Sequence, residues 1–121
     1  MAESRIFSVE IVDRTLVVSL NHNIGSFADA DVQEELNVVL DAIETHKPAG
    51  LVIDFAGISY FGSSILEALR VIWNRHHGGE GPMALCNLGK VGRGIIEVSK
   101  FDTLWPICNT RVEAIDAVSS E

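Results

Sequence analysis

The feature that most constrains the fold is a short apolar run in the middle of the chain, Leu51-Val52-Ile53-Asp54-Phe55. Four of its five residues are large and apolar, so a strand formed by this run has apolar side chains on both faces and is stable only when both are buried. This pattern is typical of a central strand in an α/β sheet. Pro48 and Gly50 precede it, and a short loop from Ala56 to Gly62 follows it. These residues favour a strand over a continuing helix.

Helical spacing appears on both sides of this strand. One helix is predicted from Asp29 to the break at Pro48, and a second from about Ser63 to Arg75. The apolar face of the first consists of Val32, Leu36, Val39, Leu40 and Ile43. The buried stripe of the second consists of Ile65, Leu69 and Ile72, with Leu66 and Trp73 alongside. Both faces repeat every three or four residues, which predicts amphipathic helices packed on the sheet.

The rest of the chain continues the alternation. A hairpin of Ile6 to Val12 and Thr15 to Leu20, turning at Asp13-Arg14, is expected at the N-terminus. The later elements are a strand at Met83 to Leu88, a helix at about Lys90 to Lys100, a strand at Leu104 to Ile107, and a helix from about Thr110 that turns Val112, Ile115 and Val118 inward. The order β-β-α-β-α-β-α-β-α predicts an α/β fold with a mostly parallel sheet of four to five strands and an N-terminal hairpin. One domain is expected over residues 1–121.

Composition and charge restrict the partners. The hydrophobic fraction of 47% is enough for a packed core, which excludes a disordered chain. The net charge of -8 disfavours nucleic acids and anionic membrane surfaces as partners. No apolar run is long enough to cross a bilayer, and Met1 to Val9 lacks the apolar stretch of a signal peptide. Cys86 lies in an apolar strand and is expected to be a buried, inert thiol. A cytoplasmic location is predicted.

Catalytic, cofactor and metal sites are not evident. The run from Gly89 to Gly94 has spaced glycines with Lys90 and Arg93, but it lacks the pattern of a phosphate loop. A turn with solvated cations is the simpler interpretation, and a small-ligand or nucleotide sensor remains an alternative there. His76 and His77 are adjacent, which suits a helix end better than a shared metal. We therefore predict a binding protein rather than an enzyme, with no cofactor and no metal.

The most promising site is Tyr60-Phe61-Gly62-Ser63-Ser64-Ile65, where a loop meets the predicted start of a helix. Serine is a preferred N-cap residue, so capping alone can explain the two hydroxyls. A second interpretation is that one serine caps the helix and the other is exposed for phosphorylation. A phosphate there gains from the helix dipole and free N–H groups, yet it changes the charge that a partner meets.

At these residues the chain resembles the STAS family, the fold of bacterial anti-sigma-factor antagonists and of the cytosolic tails of sulfate transporters. The first matching stretch runs from Gly50 to Ser64 and is similar to the family's strand, loop and Asp-Ser-Ser/Thr-Gly motif. The second runs from Ile95 to Ile107, followed by Val112 to Ile115. In the family's antagonists, the first serine of the motif is phosphorylated by a kinase that is also the anti-sigma factor.

The resemblance implies an anti-sigma-factor antagonist that regulates transcription and is switched at Ser63, with Ser64 as second choice. It implies that the partner is an anti-sigma factor with serine-kinase activity, contacted by Tyr60, Phe61, Gly62, Ser63, Ser64 and Ile65. A monomer or weak dimer is expected.

Two positions depart from the family motif: Gly62 replaces its aspartate, and Ile65 replaces its glycine. Gly62 removes a carboxylate beside the serine, and Ile65 is expected to add bulk where a partner approaches. These differences favour the alternative function, a STAS scaffold without phosphorylation that serves a signalling or transport complex.

Overall fold

The computed structural model describes residues 6–21 and 34–119. Strands β1 (Phe7–Val12) and β2 (Thr15–Leu20) form the N-terminal hairpin, and helix α1 spans Asn37–His46. Strand β3 (Gly50–Asp54), helix α2 (Ser63–Arg75) and strand β4 (Met83–Cys86) follow. Helix α3 (Lys90–Val98), strand β5 (Ile107–Cys108) and helix α4 (Arg111–Ser119) complete the described chain. The predicted start of the first helix, with Asp29 and Val32, lies outside the described residues.

The five strands form one sheet in the order β1-β2-β3-β4-β5. Strand β1 pairs with β2 antiparallel, and each later strand pairs parallel with the one before it. All five residues of β3 are buried, which confirms a central strand covered on both faces. The predicted α/β class, with its mostly parallel sheet and N-terminal hairpin, is therefore confirmed.

The two faces of the sheet have separate cores. Leu16, Val18 and Ile53 belong to the larger core, to which α1, α2 and α3 also contribute. Val17 and Val52 point to the opposite face, where α4 packs across β2 to β5. This division follows from the period of two along a strand, which sends neighbouring side chains to opposite faces.

Several predicted element ends were wrong. Strand β4 ends at Cys86 rather than Leu88, and α3 ends at Val98 rather than Lys100. Strand β5 occupies Ile107–Cys108 rather than Leu104 to Ile107. The reason lies in a 3-10 turn at Phe101–Thr103, in which the Phe101 carbonyl accepts hydrogen bonds from the N–H groups of both Leu104 and Trp105. Trp105 is buried in the larger core, so this segment turns inward before it can pair as a strand.

The inward face of α4 also differs from the prediction. Ala114 and Val118 are buried, whereas Val112 is 75% exposed. Residues 114 and 118 are one turn apart and face the sheet together, which places Val112 on the outer side of the helix. Ile115 is partly buried and packs against the same core, as predicted.

Candidate partner-binding site

Helix α2 begins at the serine pair, but neither serine is its cap. Gly62 occupies the N-cap position in an extended conformation, and no side chain makes a cap hydrogen bond. The N–H of Ile65 donates to the Gly62 carbonyl at 3.1 Å. The predicted capping role of a serine is therefore wrong. Ser63 is exposed and Ser64 half-buried, on the first turn of a helix whose dipole favours negative charge.

Only part of the predicted partner segment reaches the surface. Phe61 is 1% exposed, with its ring centroid 5.0 Å from that of Phe55, and Ile65 is fully buried. The expectation that Ile65 adds bulk at the partner-facing surface was wrong, because its side chain fills the core under the helix. The accessible positions are Tyr60, which is 47% exposed, together with Gly62, Ser63 and Ser64.

An apolar groove lies between α2 and α3 beside these positions. Its volume is about 450 Å³. Val98 is 84% exposed and Val91 is 56% exposed, which is unusual for large apolar side chains. The groove is lined by Leu66, Val91, Gly94, Ile95, Val98 and Ser99. We call this set the α2–α3 groove.

This groove was not predicted from the sequence, although the spacing of apolar residues on α3 indicates it. Val91, Ile95 and Val98 recur at helical spacing on α3, while Gly92 and Ile96 occupy a different face that is buried. A helix needs only one apolar face to pack on the core, so a second apolar face on the same helix is available for another contact. The second face identifies a contact surface only once the fold shows which face packs inward.

Helix α3 approaches the serine loop closely at Gly92. A Cβ atom built there lies 3.1 Å from Phe61 Cε2 and 3.1 Å from Leu88 Cδ2. The absence of a side chain at this position lets α3 rest directly on Phe61, next to Gly62 and Ser63. Ser63 and Leu66, three residues apart, share one side of α2. The exposed serine therefore lies about one turn of α2 before Leu66, which lines the α2–α3 groove.

Asp54 is the last residue of β3, at the end of the strand from which the serine loop leaves, and is only 4% exposed. Its Oδ1 accepts hydrogen bonds from the Ala56 N–H and from Asn87 Nδ2, both at 2.9 Å. Its Oδ2 accepts from Arg111 Nε at 2.8 Å. Burial alone would raise the pKa of this carboxyl, but the bonds from Asn87, Ala56 and Arg111 together hold the pKa below its usual value.

Arg111 extends the contacts of this carboxylate to the hairpin. Its Nη2 donates to Ser19 Oγ at 3.3 Å, and its Nη1 lies 3.3 Å from Glu10 Oε2. The nearby Cys86 is buried as predicted, and burial is the main cause that raises the pKa of its thiol to about 12. Such a thiol stays protonated and unreactive at neutral pH.

The two histidines considered from the sequence lie elsewhere. The Nε2–H of His76 donates to the Pro82 carbonyl at 3.1 Å, and that of His77 to the Pro48 carbonyl at 3.0 Å. Both histidines lie beyond the C-terminus of α2, at the opposite end of that helix from Ser63. Among residues 6–21 and 34–119, no group of three or more metal-ligating side chains is assembled. The stretch from Gly89 to Gly94 forms the start of α3, with Gly89 as its N-cap.

The fold and this surface together define a small α/β domain with an accessible face suited to protein contacts. The chain belongs to the STAS family, because the model of the STAS domain matches residues 7–114. Within the described part of the chain, no helix has the length and apolar character that crossing a membrane requires.

The individual relatives agree with this assignment. BtrV of Bordetella bronchiseptica, a candidate anti-sigma factor antagonist, is 24% identical over 110 residues, which cover 91% of each chain. An anti-sigma-factor antagonist (STAS) domain protein from Planctomyces limnophilus is 25% identical, with a TM-score of 0.79 over 96% of this chain and 99% of that one. The anti-sigma factor antagonist SpoIIAA in its unphosphorylated form shares the fold at 22% identity, with a TM-score of 0.73 over 91% and 93%.

Proposed function

We propose that this chain is an anti-sigma-factor antagonist that binds an anti-sigma factor with serine-kinase activity and is released from it by phosphorylation of Ser63. The observation that carries the proposal is the exposed Ser63 at the start of α2, adjoining the α2–α3 groove. The similarity to anti-sigma factor antagonists supports this class of partner. SpoIIAA is described in an unphosphorylated form, which supports a switch by phosphorylation.

The surface offers a partner two kinds of contact, one apolar and one polar. The groove offers apolar area, which supplies affinity when an apolar segment of the partner covers it. Ser63 offers a small neutral hydroxyl at the margin of that area. A phosphate on this hydroxyl adds about -1.5 to -2 charges. The first turn of α2 tolerates that anion, because the helix dipole and the N–H groups at a helix start favour it.

The antagonist supplies the acceptor hydroxyl in this scheme, and the partner supplies the nucleotide site and the base. Gly62 has no side chain that could remove a proton from Ser63, so the base has to come from the kinase. The chain therefore acts as a binding protein and as a substrate. The proposed partner and the proposed role in regulating transcription support a cytoplasmic location.

Baits carrying the wild-type chain, Ser63→Ala and Ser63→Asp test the proposal in a lysate of the native host. A serine kinase retained by the wild type and by Ser63→Ala but lost with Ser63→Asp is the expected result. We expect the aspartate to weaken binding by about 1–3 kcal/mol, because the added charge enters a desolvated contact. Ser119→Asp is the matched control, since it adds the same charge to the exposed end of α4.

The captured kinase is then purified and incubated with ATP and the chain. Label on Ser63, and its absence in Ser63→Ala, is the expected outcome. Equal capture by all baits together with an unlabelled Ser63 would refute the switch. That outcome favours the second candidate, a STAS scaffold without phosphorylation, for which the missing carboxylate at Gly62 is the specific observation.

A further inference from the structure

Both walls of the α2–α3 groove begin at loops that leave neighbouring parallel strands. The loop after β3 starts at Phe55 and leads to Ser63, and the loop after β4 starts at Asn87 and leads to Lys90. Strands β3 and β4 are paired, with Asp54 opposite Cys86. The two loops therefore start side by side, and the spacing of α2 and α3 depends on how each loop is directed away from the sheet.

A single carboxylate oxygen binds both loops. Asp54 Oδ1 accepts from the backbone N–H of Ala56 in the first loop and from the Asn87 side chain in the second, at 2.9 Å in each case. The other oxygen, Oδ2, is held by Arg111 on α4. Because Asp54 is only 4% exposed, water competes poorly for these bonds, and an ionised acceptor makes them stronger than neutral ones.

Asn87 is placed so that its side chain reaches this oxygen. Its φ of 59° lies in the left-handed region, which asparagine tolerates better than most residues. The chain then passes through Leu88 to Gly89, the N-cap of α3. Leu88, in the loop after β4, and Phe61, in the serine loop, both lie next to Gly92 of α3, because a Cβ at Gly92 would meet both side chains. Asp54 thus acts on α3 through Asn87, and on the serine loop through Ala56.

We propose that Asp54 is a positioning residue that sets the spacing of the two walls of the α2–α3 groove and so the shape of the partner surface. The inference rests on the proposed function for the role of the groove. Asp54 does not touch the partner in this scheme. Its carboxylate fixes the directions of the two loops, and Arg111 holds the carboxylate in place from α4.

Asn87→Gly is the most direct test, because glycine accepts a positive φ without strain. The substitution removes the side-chain bond to Asp54 and, besides it, only the long contact of 3.8 Å from Asn87 Nδ2 to Cys86 Sγ. The matched control is Asp13→Gly, at a φ of 57° in the β1–β2 turn, at the other end of β2 from Asp54. Amide hydrogen exchange is read at two sites. Arg93 N–H donates to the Gly89 carbonyl at 2.8 Å and reports on the start of α3, and Ala56 N–H reports on the serine loop.

Asn87→Gly is expected to speed exchange at Arg93 about tenfold, the effect of one hydrogen bond to a charged acceptor, while Ala56 stays as in the wild type. Asp54→Ala is expected to speed exchange at both sites. Asp13→Gly is expected to change neither. Wild-type exchange at Arg93 in Asn87→Gly would overturn the proposal, and this result needs neither a partner nor the less stable Asp54 variant.

The kinase captured by the wild-type bait supplies the second readout. Its dissociation constant is expected to rise about tenfold for Asn87→Gly and to stay unchanged for Asp13→Gly. Faster exchange at Arg93 with unchanged binding would overturn the link between Asp54 and the partner surface. If the wild type captures no kinase, the proposed function fails, and the exchange experiment still decides whether Asp54 sets the spacing of the walls.

Discussion

At the scale of single residues, His76 is a buried polar group that is only half satisfied. Its ring is fully buried, and its Nε2–H donates to the Pro82 carbonyl, which leaves Nδ1 as the unprotonated nitrogen. Nδ1 has no hydrogen-bond partner within the described structure. A Cβ built on Gly81 would lie 2.5 Å from the ring, so the ring occupies the space that a side chain at position 81 would need. Burial first, and the neighbouring His77 second, lower the pKa of His76.

This geometry predicts a loss of stability in mild acid. Because the pKa is lower in the folded chain, the unfolded chain takes up the proton first as pH falls below 6.5. Between pH 7.5 and 5.5 we expect the free energy of unfolding to fall through this group by at most about 1.4 kcal/mol. Urea unfolding at the two pH values measures the change, and His76→Gln is expected to remove it. His46→Gln, at an exposed histidine, is the control, and an equal pH dependence in wild type and His76→Gln would contradict the prediction.

At the scale of elements, α3 carries two apolar faces with different partners. Gly92 and Ile96 are buried toward Phe61 and the core, while Val91, Gly94, Ile95 and Val98 line the groove. The two glycines therefore have different surroundings. A Cβ at Gly92 meets two side chains at 3.1 Å, whereas one at Gly94 meets nothing within 4 Å.

Gly94→Ala is expected to stabilise the fold and to weaken partner binding. Alanine improves the helix by roughly 0.5–1 kcal/mol, because glycine loses more backbone freedom on folding. The new methyl group also occupies part of the groove. Chemical unfolding measures the first effect, and titration with the captured kinase measures the second. Gly92→Ala is the comparison variant, in which contact with Phe61 and Leu88 offsets the gain. Unchanged binding by Gly94→Ala would exclude the groove as the interface.

At the scale of the whole molecule, Arg111 joins three neighbouring strands of the sheet to the start of α4. From the start of α4 it binds Asp54 on β3, Ser19 on β2 and Glu10 on β1. Helix α4 is the helix that packs on the smaller core, with Ala114 and Val118 turned toward the sheet. The position of this helix therefore depends on apolar packing along its length and on the ion pairs of Arg111 with Asp54 and Glu10 at its start.

Arg111→Met is expected to lower the free energy of unfolding by about 3 kcal/mol, because it leaves the buried Asp54 carboxylate without its counter-charge. Guanidinium unfolding at pH 7 measures the loss. Arg70→Met is the control, since the exposed Arg70 lies over the Phe101 ring at 5.8 Å and holds no buried charge. Similar losses in the two variants would show that the Asp54 pair adds little.

The same pair predicts how the wild type responds to strong acid. Burial would raise the pKa of Asp54, but the hydrogen bonds and the charge of its partners outweigh burial and lower it. The ionised carboxylate therefore adds to the free energy of unfolding at pH values above the ordinary pKa of 3.8. That contribution is lost as pH falls through the lower pKa of the folded state. The acid limb of the stability curve should therefore be shallower in Arg111→Met than in the wild type.

The sequence by itself determined the order of elements and the class of fold. The apolar run from Leu51 predicted the central strand, although β3 begins at Gly50 and ends at Asp54, before Phe55. Helix α2 was predicted with its observed ends, Ser63 and Arg75, because apolar periodicity is a local property of the chain. The role of Ser63 stays a prediction. The structure shows that Ser63 is exposed and that the cap of α2 is Gly62.

The tertiary structure alone decided which surfaces are free and which side chains meet. It turned Ile65 inward and Val112 outward, opened the α2–α3 groove, and brought Asp54, Asn87 and Arg111 together from three separate parts of the chain. Periodicity shows that a helix has an apolar face but not what covers that face. Contacts between residues 33 and 57 positions apart arise only when parallel strands bring their carboxyl ends to one edge.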